Sequence, residues 1–203
     1  MLFEEIKLPV QKRSKDRLAL VIETTEKILI DDGLSNCTIP EIARRANLPK
    51  INIYQYFPTV NHLFSIMVKR YLEELQQYVS FKSTHYQKWQ TPEITHDLIQ
   101  KVAQFYNENR VASILILGGP VHVDGFNLQE IVIENISKDL KELLENKMEP
   151  VRFKKADDVT YLIEIVFSLM KHSFYKFGAI TDEILKECMS LSDLYIKSKI
   201  TQT

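Results

Sequence analysis

Lys50, Asn52, Tyr54, Gln55 and Tyr56 crowd five hydrogen-bonding side chains into seven residues. Lys50 can reach a phosphate or a guanine edge, and the amides of Asn52 and Gln55 match the donor and acceptor on an adenine edge. Tyr54 and Tyr56 suit phosphate oxygens, with their rings packed on the sugar backbone. Upstream, Thr38 at a helix start and Arg44 or Arg45 add candidate phosphate contacts. This is the chemistry of recognition, with no bond broken. The bland alternative for each residue is a solvated side chain on a scaffold.

Two short helices and a turn must position these groups. Thr38 and Glu41 stand in capping-box relation, and Pro40 sits in the first turn, where its missing N–H costs nothing. Ile39, Ile42 and Ala43 give that helix an apolar face, while Arg44 and Arg45 point elsewhere. Ala46-Asn47-Leu48 is the turn, with asparagine the best non-glycine residue for a left-handed position. Pro49 opens the second helix, with Ile51, Ile53 and Phe57 expected partly inward. Helix, three-residue turn and second helix make a helix-turn-helix, whose second helix fits a DNA major groove. Ahead of it, Leu18, Val21, Ile22, Thr25, Ile28 and Leu29 predict a first helix from Arg17 to Asp32, stopped by Gly33. Lys12, Arg13, Lys15 and Arg17 before it suit either a solvated helix start or an arm gripping phosphates.

Thr38, Glu41, Ile42, Ala43, Ala46, Leu48, Ile53, Tyr54, Tyr56, Phe57, Pro58, Leu63 and Phe64 together resemble the DNA-binding signature of the tetracycline-repressor (TetR) family of bacterial transcription regulators. Three positions depart from it. The usual turn glycine is Asn47, the small pair on the recognition helix is Ile51-Asn52, and a phosphate-contacting lysine falls on Val60. The resemblance implies an all-α chain. Residues 1–58 would form an N-terminal arm and three-helix DNA-binding domain, and residues 59–203 a larger helical domain for ligand binding and dimerisation. It further implies a homodimer paired through the last two helices, bound to a near-palindromic operator, acting as a repressor and released by a small-molecule effector.

The remaining sequence reads as helices. Thr59 to about Val79 is a long helix, which in TetR-like proteins is the lever between the two parts. Thr91-Pro92-Glu93 starts another after a polar-aromatic break at 80–90. Val111 to Leu117 is the most apolar run, too short for a membrane and expected as a buried helix of the second domain. Asn127–Asn146, Asp157–Phe177 and a final helix to about Lys199 complete the chain. The last two are apolar over more than one face, which calls for partners on two sides.

Catalytic motifs for phosphate cradling, nucleophilic attack or zinc hydrolysis are absent from the sequence, so no enzyme, cofactor or metal is expected. His122 and Asp124 lie one residue apart in a loop, but two ligands without a third make a weak metal signal. The aromatic-rich second domain could hold an apolar cavity for a largely apolar effector, with Asn109, Arg110, His172 and Tyr175 as candidate lining. His172 by itself reads as a core histidine, and His62, His85 and His96 show no evident partners. A formal net charge of −1 excludes a non-specific coat of positive charge and leaves DNA binding to a local patch. Cys37 and Cys188 match no metal or redox spacing, and residues 1–10 lack the apolar run of a signal peptide. The expected location is cytoplasmic, with no membrane span. The competing reading, from another class, is an all-helical enzyme or ligand carrier that keeps the motif without reading DNA.

Overall fold

Twenty residues, Lys12–Asp31, form α1 in a computed structural model that describes residues 12–79, 83–119 and 123–201. The helix begins earlier than its apolar stripe, so Lys12, Arg13 and Lys15 are exposed on its first turns. Val21, Thr25, Ile28 and Leu29 are buried, and the Thr24 and Thr25 hydroxyls return to the carbonyls four residues back, each at 2.7 Å. Gly33, at φ 79°, turns the chain out of the helix into a 3₁₀ turn at Leu34–Asn36.

α2 (Ile39–Arg45) and α3 (Ile51–Tyr54) follow, then α4 (Val60–Tyr78), α5 (Ser83–Tyr86), α6 (Thr91–Glu108) and α7 (Arg110–Ala112). α7 passes into a π-helical turn, Ser113–Leu117, closed by the Gly118 N–H on the Ser113 carbonyl at 3.0 Å. α8 (Val123–Asn146), α9 (Asp158–Phe177) and α10 (Asp182–Lys199) complete the all-α architecture. Among the described residues, the sole β pairing is an isolated bridge between Phe153 and Ile200.

The chain falls into two compact units, Met1–Tyr71 with Arg110–Asn127, and Leu72–Asn109 with Leu128–Thr203. The boundary after Tyr71 lies inside α4. In the first unit α1 packs on α2 and α7, around Ile28, Leu29, Ile42, Ile53, Phe57 and Leu63. Val111 to Leu117 is buried as its composition demands, but it groups with this unit and not with the second. An apolar run encodes burial; it does not encode the surface that buries it.

In the second unit α10 packs on both α9 and α6. Gly178 ends α9 in the left-handed conformation, φ 72°, and Thr181 caps α10 by accepting from the Ile184 N–H at 3.4 Å. Ser173 ties this corner, donating to the Ala179 carbonyl and accepting from the Thr181 N–H. Among the described residues no helix is long and apolar enough to cross a membrane. Both cysteines are free and buried, and burial pushes the Cys37 thiol up to about 12 and the Cys188 thiol up to about 11.

Candidate nucleic-acid interface and ligand cavity

Thr38 sits at the N-cap of α2 in extended backbone, its Oγ1 accepting from the Glu41 N–H at 3.3 Å. Only half of the expected capping box forms. The Glu41 carboxylate turns instead to two guanidinium groups, Arg44 Nε at 2.9 Å and Arg45 Nε at 2.7 Å. Those hydrogen bonds hold the Glu41 carboxyl far below the usual carboxylate range, at about 2. Arg45 also pairs with Asp32, one residue beyond α1. Arg44 remains open to solvent, while Arg45 is laid back along its own domain. Any phosphate bound by Arg45 must compete with two carboxylates.

Asn47 takes φ 51°, the only positive φ of a non-glycine residue among those described. The turn closes with the Leu48 N–H on the Ala43 carbonyl at 3.0 Å. Backbone bonds from Asn52 to Pro49 and from Phe57 to Ile53 extend helical geometry beyond both ends of α3. Ile53 and Phe57 are its buried anchors.

Lys50, Tyr54 and Gln55 are exposed, while Asn52 and Tyr56 are half-buried. The last two border a small hollow shared with Arg17 and Leu18 of α1. Gln55 Nε2 donates to the Asn52 carbonyl at 3.1 Å. Ile51 departs from expectation: it is 71% exposed. With Ile53 and Phe57 filling the inward face, Ile51 falls two residues round the helix from the nearer anchor and points outward.

At the start of α4, Thr59 Oγ1 meets His62 Nδ1 at 2.7 Å, and Val60, at the lysine position, is half-buried. Further along, Arg70 pairs with Glu26 of α1, and the Tyr71 hydroxyl donates to the same carboxylate at 3.0 Å. The other two histidines also have partners: His85 packs against Tyr86 and Trp89, and His96 bonds Asp193 at 3.0 Å.

The second unit encloses a narrow, almost wholly apolar cavity of about 60 Å³. Leu72 and Leu75 of α4, Leu98 of α6, Ile133 of α8 and Val166 and Met170 of α9 contribute to its wall. None of the four residues expected to line it does so. Asn109 closes α6, its Nδ2 on the Phe105 carbonyl at 2.8 Å, and Arg110 starts α7 in the other unit. His172 and Tyr175 are exposed on α9. They continue a stripe with Tyr161, Ile165 and Ser168 at helical spacing, opposite the cavity-facing Leu162, Val166 and Met170. A helix apolar on two faces does not say which face turns inward. His122 lies outside the described residues, as does the side chain of Asp124, and no group of three metal-ligating side chains occurs among the described residues.

Residues 21–65 match the family model described as bacterial regulatory proteins, tetR family. No curated protein matches the chain. Among solved structures, a transcriptional regulator from Rhodococcus sp. Rha1 superposes with a TM-score of 0.68 at 10% identity, over 92% of this chain and 99% of that one. A TetR-family regulator from Syntrophomonas wolfei gives 0.67 at 13% identity, over 90% and 96%. The multidrug binding protein EbrR, solved with imidazole, gives 0.61 at 13% identity, over 87% and 94%. The matched residues include α2, the left-handed turn at Asn47 and α3. Residues 21–65 are thus similar to the helix-turn-helix of the tetR family of bacterial regulatory proteins, and over about nine-tenths of its length the chain has the fold of the solved regulators.

Proposed function

We propose that this protein represses transcription by reading an operator through α3 as a homodimer, and that a small molecule entering the second unit releases the DNA. The observation that carries the reading is the helix-turn-helix, in which Ile53 and Phe57 anchor α3 and leave Lys50, Ile51, Tyr54 and Gln55 exposed together. Base contacts come from Lys50, Asn52 and Gln55. Thr38, Arg44, Arg45, Tyr54 and Tyr56 serve the phosphates. DNA reading belongs to residues 1–58, with dimer and ligand roles in residues 59–203.

The exposed stripe on α9, with Tyr161 and Tyr175, and Leu191 and Leu194 on α10 support pairing of the last two helices with their copies. Two recognition helices so related must meet major grooves about 34 Å apart or a multiple of it. A ligand larger than the cavity has to part the helices that enclose it, so it favours the parted state, and its effect on DNA affinity cannot exceed that preference.

The test is binding of the purified protein to the duplex flanking its own gene, against random duplex, followed by selection from genomic fragments. Saturable binding that random duplex does not compete away is expected. Affinity no better than random in both experiments would sink the regulator reading.

A further inference from the structure

Ile51 is the exposed side chain of α3 that the DNA-reading role leaves unused. It is 71% exposed, while Ile53 two residues on is fully buried. Single exposed apolar residues are common on protein surfaces, so exposure alone decides nothing. What distinguishes Ile51 is its company. The Gln55 N–H donates to the Ile51 carbonyl at 3.2 Å, which stacks Gln55 one helical turn above it. Tyr54, three residues on, shares that face and is 42% exposed. Lys50 stands beside them, exposed as well.

Gln55 indicates the surface that this face is built to meet. Its Nε2 donates one hydrogen to the Asn52 carbonyl at 3.1 Å, which orients the amide and leaves it one N–H and its own carbonyl oxygen. One donor beside one acceptor is the pattern complementary to N7 and N6 of adenine in the major groove. Adenine is paired with thymine, whose C5-methyl projects into the same groove. A branched aliphatic side chain is complementary to that methyl. Against the polar groups of the base edges it would displace water and offer no hydrogen bond in return. Residues 49–57 include Lys50 and no acid, which suits an anionic partner. One isoleucine beside a half-exposed tyrosine is also far less apolar surface than the roughly 800 Å² that each side of a stable protein interface buries.

We propose that Ile51 is a specificity-determining residue, packing against the C5-methyl of one thymine in each operator half-site. The operator is then selected by an apolar contact as well as by hydrogen bonds. The inference rests on the DNA-reading role of α3 proposed above and adds to it a residue which that role did not use.

The experiment uses the full-length protein and the operator recovered by selection from genomic fragments. Each thymine of a half-site is replaced in turn by deoxyuridine, which removes the methyl and keeps the hydrogen-bonding edge. At one thymine the exchange should weaken binding about fourfold per half-site, the effect of one buried methyl group. Ile51→Ala should lose affinity for the unmodified operator by a similar factor and bind the thymine and uracil duplexes equally. Ile51→Val, which keeps a branched apolar surface, should retain most of the discrimination. Because the side chain is exposed, both variants should fold, and the uracil scan on the unaltered protein stands as an independent test. Uracil tolerated at every position, a half-site without thymine, or an unchanged uracil penalty in folded Ile51→Ala would each overturn the proposal and leave the DNA-reading role standing. A selection that returns no operator would overturn both.

Discussion

The side chain of Asn107 makes a reciprocal pair of hydrogen bonds with the backbone of Ile180, Nδ2 to the carbonyl and Oδ1 from the N–H, both at 2.9 Å. This amide, near the end of α6, stands in for a backbone strand at the loop between α9 and α10. It satisfies two polar groups of a residue whose side chain is buried. Replacement by alanine leaves both unpaired. Asn107→Ala should cost about 1–2 kcal/mol, read as a lower urea midpoint with an unchanged slope. Asn107→Asp keeps the acceptor and loses the donor, so its unfolding midpoint should fall between the two.

The left-handed turn at Asn47 makes a local prediction. Its φ of 51° is costly for a residue with a branched side chain. Asn47→Val should therefore lower stability by about 1–2 kcal/mol, whereas Asn47→Gly should be neutral or slightly stabilising. Thermal unfolding of the two variants side by side checks this, and equal loss in both would refute the conformational account.

Glu41 governs how Arg44 and Arg45 respond to acid. Its folded-state carboxyl lies near 2, below the ordinary value of 4.5. Its ion pairs with Arg44 and Arg45 therefore add stability at pH values above the ordinary carboxylate range, and this is lost as the pH falls through about 2. Between pH 5 and 8 the cluster should not titrate. Side-chain carboxyl shifts followed by NMR should place Glu41 among the last acids to protonate. A midpoint near 4.5 would show that the pairs do not persist in solution.

If Lys50 meets a phosphate, Lys50→Ala should weaken binding to operator and random duplex alike. It should also reduce the slope of log affinity against log salt by about 0.9 for each half-site. If Lys50 instead reads a guanine, the loss concentrates on the operator, at about 1–3 kcal/mol per half-site. Circular dichroism should be unchanged in either case, because Lys50 is exposed. Affinity and salt slope both unchanged would remove Lys50 from the interface.

Features confined to one or two helical turns were legible in the sequence. The Thr38 cap, the Asn47 turn, and the burial of Ile53 and Phe57 depend on backbone preferences and spacing of a few neighbouring residues. Those preferences act at short range, so residue types and spacing suffice. Partner choice was not legible. Only the tertiary structure turned Glu41 away from its own cap to Arg44 and Arg45, set Val111–Leu117 with α1, and put Ile51 outside. It also turned His172 and Tyr175 to the exposed face of α9, away from the cavity. Each of these depends on which surface arrives opposite a side chain, and that surface comes from residues tens of positions away. Hydrophobic periodicity specifies how much of a helix must be covered; the packing of the other helices decides what covers it.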